Sequence, residues 1–101
     1  MDSLSKNKNK WVKSLRLKKN REKDNCFVVE GEKMILEIIE FWPDLIEFIC
    51  TTDDTFKSTK EFYLLDHKEM KDLSSLNTAP RILAVVKTPT IKASKEDLIL
   101  V

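Results

Sequence analysis

Glycine occurs once in this 101-residue chain, histidine once, cysteine twice and proline three times. One glycine cannot build a G-x-G-x-x-G dinucleotide fingerprint or a phosphate-cradling P-loop, which excludes the common nucleotide motifs. One histidine, His67, lies among charged neighbours just inside an expected helix start and has no partners for a catalytic triad. The paired acids Asp53-Asp54 and Glu30/Glu32 read as solvated loop and helix-start carboxylates, which a helix dipole favours in any case. Cys26 and Cys50 stand alone without C-x-x-C spacing, as expected of small buried hydrophobes rather than metal ligands. No apolar run approaches the roughly 20 residues that span a bilayer, and Met1-Asp2-Ser3-Leu4-Ser5-Lys6 lacks a signal-peptide hydrophobic region. The expectation is a cytoplasmic protein with no membrane partner, and a chain that alone carries no catalytic residue, metal or cofactor.

Charge is abundant and uneven. Charged residues make up 35% of the chain and hydrophobic ones 42%, which suits one globular domain with a modest core. Residues 1–25 hold nine Lys/Arg against three Asp/Glu, a net of +6, and the rest holds nine against fourteen, a net of −5, giving the overall +1. A basic N-terminal segment on a mildly acidic body favours contact with a polyanion through that segment.

Leu4, Trp11, Val12 and Leu15 recur at helical spacing, with Lys6, Lys10 and Lys13 on another face, which predicts a helix over 5–20. Lys18 to Asn25 is too polar for a core element, and Asp24-Asn25 signals a turn before a strand at 26–30. From Glu32 to Trp42 a wide stripe of Met34, Ile35, Ile38, Phe41 and Trp42 opposes Lys33, Glu37 and Glu40, and Pro43 stops the helix. Trp11 and Trp42 both fall on apolar helical faces and are expected in the core; exposed, either could stack a base. Leu45–Thr51 predicts a strand covered on both sides, with Ile46, Phe48 and Cys50 on one face and Leu45 and Ile49 on the other. After a polar loop, Phe62–Leu65 is a short strand, and Asp66 with Glu69 has capping-box spacing before a helix that buries Met70, Leu73 and Leu76. Ile82–Lys87 is a last buried strand. This order predicts a three-layer α/β/α sandwich with a mixed sheet of about four strands.

The junction at Cys26–Lys33 is the most informative segment. A strand runs into the only glycine, which opens a helix beside a lysine-rich stretch, and such a place can offer N–H groups and cations to a phosphate backbone. That points toward RNA. Thr88–Asp97 resembles a linker, and the terminal Leu98-Ile99-Leu100-Val101 would start a further buried strand, so the natural protein is expected to continue.

Lys19-Asn20-Arg21-Glu22-Lys23, the "R-x-K-x-x-x-F-x-x-E-G" run from Arg21 to Gly31, and Thr78 through Leu83-Ala84-Val85-Val86 resemble the N-terminal substrate-binding domain of SpoU/TrmH-type RNA 2′-O-ribose methyltransferases. The resemblance implies an L30e-like fold. It also implies an organisation of a basic helix and arm at 1–25, an RNA substrate-binding body at 26–87, a linker at 88–97, and the start of a SPOUT methyltransferase domain at 98–101. The parent would transfer a methyl group from S-adenosylmethionine to a ribose of structured RNA, ribosomal rather than transfer RNA, and would dimerise through its catalytic domain. RNA contact is expected from Lys13, Arg16, Lys19, Arg21 and Lys23, from Glu30, Gly31 and Lys33, and from Thr78 and Arg81, by phosphate and shape recognition rather than groove reading. Ala79-Pro80-Arg81 replaces the family's usual Pro-Gln-Gly, stiffening the loop and adding a cation. A stand-alone L30e/L7Ae-like RNA binder and a protein-interaction domain are the competing readings.

Overall fold

In the computed structural model, which describes residues 4–89, the chain forms the three-layer α/β/α sandwich expected from its pattern. Four strands, β1 (Cys26–Glu30), β2 (Ile46–Thr51), β3 (Phe62–Leu64) and β4 (Ile82–Lys87), make one sheet in the order β1-β4-β2-β3. β4 is antiparallel to both β1 and β2, whereas β2 and β3 are parallel. The last strand in sequence is thus central, and its five apolar residues Ile82 to Val86 are all buried.

Period-two alternation divides those residues between two cores. Leu83 and Val85 face a layer built by α1 (Lys6–Ser14) and α4 (His67–Leu73), where Val12, Leu15, Met70 and Leu73 pack against Cys26, Phe48 and Cys50. Ile82, Ala84 and Val86 face α3 (Glu32–Phe41), whose Ile35 and Ile38 pack with Ile46 and Ile49. Both cysteines are buried free thiols, and burial pushes the Cys50 thiol up to about 12, so it remains protonated at neutral pH. The predicted capping box closes α4: Asp66 accepts from the Glu69 amide at 2.7 Å, and Glu69 accepts from the Asp66 amide at 3.1 Å.

Four details differ from the sequence reading. The helix expected over 5–20 breaks at Leu15–Leu17 and resumes as α2 (Lys18–Asp24), which, as its polarity predicts, is not a core element. At the break the Ser14 hydroxyl bonds back to the Trp11 carbonyl, an alternative that serine offers a helix end. α2 buries nothing and is held from its ends: Trp11 donates its indole N–H to Asp24 at 2.8 Å, and Asn25 stops the helix in the left-handed conformation at φ 53°. Pro43–Leu45 is a 3₁₀ turn rather than the start of β2, and a bulge between Ile46 and Phe48 turns Ile46 to the α3 side, not to the side of Phe48 and Cys50. α4 ends at Leu73, leaving Leu76 half exposed.

The fourth difference is the width of the α3 stripe. Only Ile35 and Ile38 are buried, whereas Met34 is 55%, Phe41 63% and Trp42 58% exposed. Trp42 is therefore not a core residue; Trp11 is half-buried against Phe48, ring centroids 6.1 Å apart. The linker reading beyond Pro89 and the strand expected at 98–101 lie outside the described residues.

Because Leu15 is 2% exposed at the end of α1, the N-terminal segment is part of the core. Replacing Leu15 with Ala should lower the stability of the whole domain by about 2–4 kcal/mol, measured by urea unfolding followed at a probe in the sheet. An unchanged midpoint with loss of α1 alone would mean that the segment is an appendage.

Candidate nucleic-acid interface

The C-terminal ends of β1, β2 and β3 and the N-terminal end of β4 lie along one rim of the sheet, since Glu30 is opposite Leu83 and Thr51 opposite both Ile82 and Leu64. Gly31 leaves β1 at this rim with φ 123° and ψ 134° and caps the start of α3. A side chain there would meet nothing within 4 Å, so glycine is needed for its backbone conformation and not for space. The Gly31 N–H donates to the Ile82 carbonyl at 3.3 Å. The helix start and the loop before β4, expected to act together, are adjacent.

That loop, residues 74–81, is tied at both ends. At its start the Glu30 carboxylate accepts from the Ser74 hydroxyl at 2.5 Å, the Ser75 amide at 3.1 Å and the Ser75 hydroxyl at 2.9 Å. Arg16 donates to the carbonyls of Asp72, Leu73 and Ser74, each at 3.1 Å, satisfying the orphan acceptors at the end of α4. At its finish the Arg81 carbonyl accepts from the buried Thr51 hydroxyl and the Thr52 amide, both at 3.0 Å. Between these ties Leu76, Asn77 and Thr78 are exposed. A cleft of about 340 Å³ opens beside the first tie, with Arg16, Arg21, Glu30 and Ser75 among its walls.

The expected RNA-contacting residues fall into two groups. Arg16, Arg21 and Glu30 are turned to the protein, Arg21 donating to the carbonyls of Leu15 and Arg16 at 2.9 and 2.8 Å and so bracing the α1–α2 break. Lys13 pairs with Asp72 at 2.5 Å and Arg81 with Asp53 at 3.4 Å. Lys19, Lys23 and Lys33 are exposed and have no ion pair among the described residues, and Thr78 is exposed on the loop. Lys19 and Lys23 are one helical turn apart on α2, and Lys33 lies in the first turn of α3. The partners Asp53, Asp72, Ser74 and Ser75 carried no signal in the sequence, because each contact joins positions 28 or more residues apart.

Two carboxylates that neutralise cations are held below their usual range. Asp72 is lowered chiefly by the hydrogen bond from Lys13, helped by Asn9 and Arg16, and Asp53 by the hydroxyl and amide of Thr55, helped by Arg81. Among the described residues no cluster of His, Cys, Asp and Glu could hold a metal ion, and no helix is long and apolar enough to cross a membrane.

Helices on both faces of a mixed four-stranded sheet make the chain an α/β domain. The chain belongs to the MRM3-like substrate binding domain family, which it matches over residues 6–84. Solved structures agree. A protein of the TrmH family of RNA methyltransferases from Porphyromonas gingivalis superposes with a TM-score of 0.76 at 26% identity, over 91% of this chain and 38% of that one. An rRNA methyltransferase from Sinorhizobium meliloti, solved with AdoMet bound, gives 0.70 at 15% identity over 90% of this chain and 37% of its own. An RNA 2′-O-ribose methyltransferase gives 0.68 at 15% identity over 91% and 39%. The chain thus spans less than two-fifths of these proteins. No curated protein sequence matches it. The family expected from the sequence motifs is the family found.

Two predictions follow from the ties. Glu30→Ala leaves the buried Ser74 hydroxyl without its acceptor, which should cost about 1–3 kcal/mol and raise amide exchange over 74–78 while α1 stays protected; uniform loss of protection would show that Glu30 supports the core instead. The Asp72 carboxyl, lowered in the folded state, stabilises the docking of α1 fully above the ordinary carboxylate value of about 4, and this contribution is lost as the pH falls through its lowered folded value. Protection factors in α1 should therefore fall in acid in the unaltered chain and change less in Asp72→Asn. Equal acid sensitivity in both would remove Asp72 from the account.

Proposed function

We propose that this chain is the RNA-recognition domain of an S-adenosylmethionine-dependent 2′-O-ribose methyltransferase, with ribosomal RNA as its substrate. One observation carries the reading: in a chain of this family, the glycine that opens α3 and the tied loop 74–81 meet at a single rim. Folded RNA is distinguished mainly by phosphates, 2′-hydroxyls and splayed bases. A fixed rim at the start of α3, with Lys33 in that helix's first turn and further exposed lysines, Lys19 and Lys23, on α2, suits that task. Lys19, Lys23 and Lys33 neutralise phosphates, and the Thr78–Arg81 segment meets the irregular part of the RNA. Arg16, Arg21 and Glu30 act as positioning residues that hold this surface in shape. Arg81 can exchange Asp53 for a phosphate, because its side chain is exposed and the ion pair is long at 3.4 Å.

The cofactor belongs elsewhere in the parent protein. The lone glycine lies at an open rim and the groove between α3 and β1 is lined mainly by apolar side chains, so these residues do not fit a molecule with a carboxylate and a ribose to hold. Recognition is thus assigned to this chain, and methyl transfer to a catalytic domain that follows a linker near residues 88–97.

The test is a titration of the chain against ribosomal RNA fragments and transfer RNA over a salt series. Binding should favour the ribosomal fragments and weaken with salt. Changing Lys19, Lys23 and Lys33 to Ala together should flatten the log–log salt dependence by about 2–3, from 0.7–0.9 per phosphate neutralised. Lys8→Ala should not, since Lys8 is engaged with Glu61 and Tyr63. Preference for transfer RNA would overturn the ribosomal assignment, and absence of binding at low salt would favour a domain that recognises protein.

A further inference from the structure

We propose that the apolar groove between α3 and β1 is the face on which the parent's methyltransferase domain docks, an inference that rests on reading this chain as the recognition domain of that enzyme. The groove encloses about 880 Å³ and is lined by Phe27, Val29, Met34, Ile38, Phe41 and Trp42, with Asp44 and Pro89 also on its walls. Three large side chains on one short segment, Met34, Phe41 and Trp42, are more than half exposed. An isolated soluble domain rarely leaves so large an apolar concavity open unless something covers it.

Three observations select the occupant. The first is continuity. β4 ends at Lys87 and Pro89 itself lines the groove, so the polypeptide that follows starts at the groove's edge. The eight residues 90–97 reach at most about 28 Å when extended, and a tether that short raises the local concentration of the next domain to about the millimolar range. A small apolar contact then suffices for docking. The second is charge. Glu30 and Asp44 line the groove, Asp44 paired with Lys60 at 3.8 Å, Glu37 and Glu40 are exposed on α3, and no Lys or Arg is in the lining. These acids call for a partner with a basic border, and a domain that works on RNA carries surplus Lys and Arg. The third follows from symmetry. A second copy of this chain seated by a two-fold contact would bring the same acids face to face, which disfavours self-association through this surface.

Docking here has a consequence for specificity. α3 starts at Gly31 on the RNA-facing rim and ends at Phe41 beside the groove, a rigid helix of about 15 Å. Seating the catalytic domain along the flank of α3, on a groove whose walls run from Met34 to Phe41, while RNA occupies the rim at the helix start fixes the separation between the recognised element and the reacting ribose. The groove would thus help determine which nucleotide is reached.

The experiment is hydroxyl-radical footprinting of Met34, Phe41 and Trp42 in this chain and in the full-length parent protein, without RNA or cofactor. Labelling should fall several-fold in the full-length protein, while the exposed Leu76 is labelled equally in both. Met34→Glu with Trp42→Glu should return Phe41 to its level in the isolated chain; both positions are exposed, so unfolding curves of the 101-residue variant serve as the control for folding. Equal labelling of the groove in an enzyme that methylates RNA overturns the docking proposal alone. Protection of the groove in a full-length protein that transfers no methyl group to RNA overturns the functional reading. Protection that depends on protein concentration assigns the groove to a second copy, and a natural polypeptide that ends at Val101 overturns both.

Discussion

Burial of β4 from both sides is the constraint on which the rest of the domain depends. Leu83 and Val85 close one core and Ile82, Ala84 and Val86 the other, so neither helical layer can be lost without exposing the same central strand. Its neighbours are distant in sequence, with β1 more than fifty residues before it and β2 more than thirty. The sheet therefore closes only when the last strand pairs with both β1 and β2 across these separations, a topology of high contact order. That insertion also brings Gly31 beside Ile82 and Thr51 beside Arg81, so the rim exists only because β4 is in the middle.

The basic N-terminal segment shows how one set of charges can serve two purposes. Arg16 and Arg21 spend their guanidinium groups on carbonyl oxygens, at the end of α4 and at the break between α1 and α2. Carbonyl clusters at helix ends need donors, and the planar fork of arginine supplies several at once. The lysines, with a single ammonium on a flexible stem, either pair with a carboxylate, as Lys8 and Lys13 do, or extend to solvent, as Lys19, Lys23 and Lys33 do. Arginine builds the surface and lysine charges it.

α3 connects the two polar ends of this arrangement to its apolar flank. With a sheet of four strands and a single helix over one face, one side of that helix has nothing to pack on, and a stripe too wide for the available sheet spills into an open groove. The same shortage of covering structure is what makes the flank usable for contact with another domain, whereas α1 and α4, side by side on the other face, leave only the smaller cleft of about 340 Å³ beside Arg16 and Glu30.

Local pattern alone was enough for the elements that bury a regular face. The strands at 26–30 and 82–87, the helix that Gly31 opens and Pro43 closes, the capping box at Asp66 and Glu69, and the sandwich they imply all follow from short-range rules of periodicity, capping and chain breaking. The motif from Arg21 to Gly31 likewise pointed to the right family. Tertiary structure decided what those rules cannot see. It decided that polar Lys18–Asp24 is helical, because its support comes from Trp11 and from carbonyls outside the segment. It decided that Ile46 faces α3, because a bulge resets the alternation. It left Trp42 at the surface, because burial depends on what lies opposite and not on which face a residue occupies. It also separated the cations that hold the protein together from those that remain available, because the carboxylates and carbonyls that claim Lys13, Arg16 and Arg81 are distant in sequence and meet them only in the folded chain.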